Sequence, residues 1–101
     1  MGVYGEMNNT AEIHAHSRPH LPRGVRLRRD EARSRWTLLA PERIFEIDDT
    51  AAAVLGLCDG ERDLDAIVAE LAARYSAPPA VIEKDVVAML ADLKAKRVLE
   101  T

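Results

Sequence analysis

Histidine is absent beyond residue 20 and cysteine occurs once, as Cys58. Most of the chain therefore has no nucleophile–base pair, and Cys58 has no nearby imidazole to activate it. A single thiol also excludes an intramolecular disulfide, a cysteine zinc site and an iron–sulfur cluster. The five glycines are scattered, with no G-x-G-x-x-G or Walker spacing to cradle a phosphate. Aromatic residues are only 4% of the chain, so Leu, Val, Ile and Ala must fill the core. No apolar run approaches the ~20 residues that span a bilayer, and the N-terminus lacks the basic and apolar blocks of a signal peptide. These absences lead us to expect a cytoplasmic, non-catalytic protein without cofactor or metal.

What is present suits one small domain. A chain of 101 residues buries about 60% of the surface it exposes when unfolded, enough for one core but not for a large ligand cavity. Its net charge of -3 is unevenly spread. Residues 18–35 hold seven arginines against Asp30 and Glu31, a local balance of +5, whereas residues 36–101 balance to -6. Self-attraction between the two parts and a basic patch for an acidic partner are both open readings.

Residues 1–20 show no sustained apolar period and read as a disordered tail or linker. His14, His16 and His20 lie there, in a segment that would have to order itself before holding a metal. The body is expected over 21–101. Val25 and Leu27 alternate with Arg26 and Arg28, as in a half-buried strand. Residues 30–34 read as a hairpin loop, Trp36–Ala40 as a second strand, Pro41-Glu42 as a turn and Arg43–Ile47 as a third strand.

Helical spacing follows. Asp48 or Asp49 caps a helix with Ala51, Val54, Leu55 and Cys58 on one face, and Asp59-Gly60 stops it. Asp63 caps a second helix whose apolar face is Leu64, Ile67, Val68, Leu71 and Tyr75. A third helix opens at Pro78-Pro79, presents Val81, Ile82, Val86, Met89, Leu90 and Leu93, and runs to about Lys96. Val98 and Leu99 are expected to pack back onto the body. The predicted fold is α+β and winged-helix-like, a three-stranded antiparallel sheet followed by three helices (β-β-β-α-α-α).

Winged helices often bind DNA, but Glu83, Asp85 and Asp92, with Lys84 as the one cation among them, give the third helix a surface that repels phosphate. No nucleic-acid or membrane partner is expected, and a DNA-binding or dimerisation domain is the alternative. An outer strand exposes unpaired backbone groups, so Arg43–Ile47 is either a site where an extended peptide adds as a strand or a merely blunted edge.

The stretch Arg35-Trp36-Thr37-Leu38-Leu39-Ala40-Pro41-Glu42-Arg43 resembles the W-x-LL-x-PE-R segment of the PqqD family of pyrroloquinoline quinone (PQQ) biosynthesis. Pro22, Val25-Arg26-Leu27, Cys58-Asp59-Gly60, Asp85-Val86, Leu90 and Leu93 agree in order, over roughly residues 21–100. The resemblance implies a peptide chaperone of the RiPP recognition element class. It would bind the precursor peptide PqqA and present it to the radical SAM enzyme PqqE, as a monomer or homodimer. Carried onto this chain, the peptide would lie along Arg43, Ile44, Phe45, Glu46 and Ile47. Val86, Met89, Leu90 and Leu93 would form a helical wall, or serve as core. Trp36, Pro41, Asp59 and Gly60 would be scaffold.

Overall fold

Period-two alternation builds the sheet. The computed structural model describes residues 13–101 and contains β1 (Arg26–Asp30), β2 (Arg35–Ala40) and β3 (Arg43–Ile47). They form one antiparallel sheet in the order β1-β2-β3. Leu27, Leu38 and Phe45 lie in one cross-strand row on the inner face, and Arg29, Trp36 and Ile47 in the next. Leu38 is fully buried, with Leu27, Phe45 and Ile47 packed partly against the same core. The Arg29 guanidinium lies 5.5 Å from the Trp36 ring centre and covers that side of the row. Between β2 and β3 the chain reverses through Pro41 and Glu42, whose φ of 62° places it in the left-handed region.

Three helices follow, α1 (Asp49–Gly56), α2 (Leu64–Tyr75) and α3 (Pro79–Ala95). The β-β-β-α-α-α order is therefore the one the sequence predicts. Asp48 Oδ1 accepts from the Ala51 amide at 2.7 Å and Asp63 Oδ1 from the Ala66 amide at 2.9 Å, so each aspartate satisfies an orphan donor of its helix. Beyond α3, Arg97 takes φ 65° while the Val98 amide reaches Leu93 O and the Arg97 amide reaches Lys94 O. That double bond is a Schellman stop, and it drives Val98 into the core. α1 meets β1 and β2, α2 packs on α3, and β3 is held chiefly by β2.

Two sequence expectations differ from the structure here. Tyr75 and Val81, placed on apolar helix faces by their spacing, are 45% and 54% exposed. Each lies in an end turn of its helix, where the apolar stripe runs past its packing partner. The expected tail also differs over residues 13–20, which lie against the body; residues 1–12 fall outside the described residues. Ile13, Ser17 and Pro19 are buried. The amides of Leu64 and Asp65 donate to Ser17 O and Ala15 O, supplying partners for the first turn of α2, while His20 and Glu100 exchange backbone hydrogen bonds. Gly60, at φ 80°, donates to Pro19 O, and a Cβ there would come within 3.4 Å of His20. Segment 13–20 is a strap across one end of the domain.

Candidate functional site: a free strand edge beside a helical groove

Among the described residues β3 hydrogen-bonds to β2 on one side only, so its other edge offers backbone donors and acceptors to an added strand. Arg43, Ile44 and Glu46 are exposed along it, while Phe45 and Ile47 turn inward and are half-buried. The edge is held at both ends. At its start Arg43 Nη1 donates to Lys96 O at 2.9 Å, with the guanidinium 5.4 Å from the Phe45 ring centre. Across the strand pair, Arg35 is ion-paired with Glu46.

Just beyond the end of β3, Thr50 enters the lining of a small apolar groove. Val54 of α1, Leu71 and Tyr75 of α2, and Ile82, Asp85, Val86 and Met89 of α3 complete it around about 90 Å³. Arg43 thus reaches the residue that follows α3, and Thr50, at the start of α1, shares the groove with the earlier turns of α3. The groove lining contains no β3 residue; the strand edge offers free backbone and the groove apolar side chains, the two elements of extended-peptide recognition.

Of the residues expected at the helical wall, Val86 and Met89 line the groove. Leu90 and Leu93, at 0% and 7% exposed, belong to the core behind it. Thr50, Val54, Leu71, Tyr75, Ile82 and Asp85 line the groove without having been expected there; the sequence marked Val54, Leu71, Tyr75 and Ile82 only as apolar helix positions, and Thr50 and Asp85 carried no signal for it.

Cys58 is buried, its thiol donates to Val54 O at 3.3 Å, and burial, with the Asp59 charge second, pushes its pKa up to about 12. Such a thiol is not a nucleophile at neutral pH. The Asp59 carboxyl is held below its usual range because it accepts hydrogen bonds from the Arg62 and Glu61 amides, each at 2.9 Å. That arrangement shapes the turn before α2, and Asp59 is scaffold. Among the described residues no three His, Cys, Asp or Glu side chains converge as a metal site. His16 and His20 instead approach Asp63 and Glu100, at 3.8 and 3.1 Å. No helix among the described residues is long and apolar enough to cross a membrane.

Comparison with known proteins shows the family and the fold. The chain is 56% identical over 80 residues to a protein of Rhodopseudomonas palustris strain TIE-1 named PqqA binding protein, covering 79% of this chain and 78% of that one. It is also 56% identical over 82 residues to the bifunctional coenzyme PQQ synthesis protein C/D of Methylorubrum extorquens, covering 81% of this chain but 22% of that longer protein. The solution structure of the PqqD truncation of Methylobacterium extorquens PqqCD, described as a functional and stand-alone RiPP recognition element, superposes with a TM-score of 0.80. It shares 52% identity, over 94% of this chain and 100% of that one. The family model described as Coenzyme PQQ synthesis protein D matches residues 35–99, and the chain belongs to this PqqD family.

Proposed function

We propose that the chain is a non-catalytic peptide chaperone of PQQ biosynthesis that captures the precursor peptide PqqA as a fourth strand on β3 and holds it for the radical SAM enzyme PqqE. The observation that carries this reading is the free edge of β3, fastened to the end of α3 through Arg43, together with the apolar groove that α3 lines. Backbone hydrogen bonds along Arg43–Ile47 supply affinity, and alternate peptide side chains directed toward Val86 and Met89 supply selectivity. Leu90 and Leu93 support that wall from behind. The relative named PqqA binding protein supports the choice of ligand.

Holding a peptide beside an enzyme raises its local concentration, which accelerates the encounter without any chemistry from the chaperone. Ordering the peptide offsets part of the binding energy, so affinity rests on a preformed edge and groove. A ribosomal peptide is made in the cytoplasm, which is where this capture would take place.

Fluorescence anisotropy of labelled synthetic PqqA tests the capture. A saturable rise is expected as the chain is added. A flat titration up to about 100 μM, near the weak end of specific binding, would overturn it.

A further inference from the structure

The sheet has a second face, turned away from the helices, that peptide binding in the groove leaves unexplained. It carries Arg26, Leu39 and Ile44 in one cross-strand row and Arg28, Thr37 and Glu46 in the next. The acids on this face are already paired, Glu46 with Arg35 and Asp30 with Arg33 at 3.5 Å. Arg26 and Arg28 form no ion pair among the described residues. Beside them Ile44 is 71% exposed, the highest value among the large hydrophobic residues described. Arg28, Asp30, Arg33, Thr37, Leu39 and Ile44 line a depression of about 280 Å³ on this face.

An apolar centre with an uncompensated positive rim has the layout of a protein interface. Charge complementarity sets the occupant's chemistry: carboxylates to meet Arg26 and Arg28, and an apolar side chain to cover Leu39 and Ile44. A phosphate backbone fits less well, because Asp30 and Glu46 stand on the same face and the depression is partly apolar. Strand addition on β3 would also place alternate peptide side chains on this face, next to Ile44. A partner docked there would meet protein and peptide together.

We propose that the outer face of the sheet docks an acidic, apolar-centred surface of the enzyme that acts on the captured peptide. The identity of the partner rests on the reading under Proposed function; the chemistry of the face does not.

The double variant Arg26→Glu/Arg28→Glu tests it, with PqqA and the radical SAM enzyme PqqE as probes. Peptide affinity should stay within about twofold, because β1 is the strand farthest from the peptide edge. Affinity for the enzyme should fall by at least about tenfold, and wild-type affinity should weaken as salt is raised. Unchanged enzyme affinity with normal peptide binding overturns the docking face alone. A wild-type chain that binds no peptide, yet loses enzyme binding in the variant, overturns the peptide reading and supports the face. If the variant abolishes self-association or duplex-DNA binding and leaves enzyme binding intact, the occupant is a second copy or a nucleic acid and the proposal fails. Should the double variant not fold, Arg28→Gln reads the same enzyme affinity with a smaller expected loss.

Discussion

Arg43 Nη1 donates to the carbonyl of Lys96 at 2.9 Å, fastening the start of the free edge strand to the end of α3. The last carbonyls of a helix have no partner within it, and a guanidinium there satisfies one while complementing the helix dipole. The same side chain lies over Phe45, so one residue fixes the spacing between β3 and α3.

Replacing Arg43 with Ala should therefore cost about 1 kcal/mol of stability and also weaken peptide binding. Arg43→Lys keeps the charge but loses the planar stacking on Phe45, and should recover only part of both. Denaturant unfolding and peptide titration of the two variants check this.

Groove lining and core should separate by mutation. Met89→Ala, at a half-buried lining position, should lower peptide affinity several-fold with a stability loss of about 1 kcal/mol. Leu90→Ala removes a side chain that is 0% exposed and should cost about 2–5 kcal/mol. Urea unfolding beside peptide titration distinguishes the two effects.

Deleting residues through His20 should destabilise the domain, although sequence reading treats this stretch as a tail. Burial of Ile13 alone is worth about 1.5–3 kcal/mol, and the strap also caps α2 through Ser17 O and Ala15 O. In a domain of this size a 1 kcal/mol loss lowers the melting temperature by about 4–8 °C, so calorimetry should show a fall of at least 6 °C.

The Cys58 thiol should react with a disulfide reagent only after unfolding. Its folded pKa, raised from 9.0 to about 12, keeps it protonated where an unfolded thiol ionises. The stability this contributes is fully present below about pH 9 and is lost as pH rises toward 12. Thiol titration with and without denaturant, and unfolding at pH 8 and pH 10, check both statements.

Element order was legible because it depends on neighbours in sequence. Arginine–apolar alternation marks β1, Pro41 breaks the ladder between β2 and β3, and Asp48 and Asp63 each cap the helix that follows them. The strap was not legible, since Ile13, Ser17 and Pro19 have no common period and their segment bonds to Gly60, Leu64, Asp65 and Glu100, far along the chain. Helical spacing identified Leu90 and Leu93 as apolar positions, but spacing alone cannot rank depth, and both lie behind the groove rather than on it. Tyr75 and Val81 failed for the related reason that a stripe continues beyond the partner that covers it. The expectation of a peptide on β3 began with the unpaired backbone of an outer strand, left even with a merely blunted edge until the family resemblance favoured it; the structure adds an open strand edge and an apolar groove lined by α3.

Titration of isotope-labelled chain with PqqA, followed by backbone amide chemical shifts, tests the central claim most directly. Strand addition predicts the largest perturbations along Arg43–Ile47 and at Met89, with new protection from hydrogen exchange on the amides of the free β3 edge. Saturable binding that leaves those amides unshifted and unprotected would contradict it.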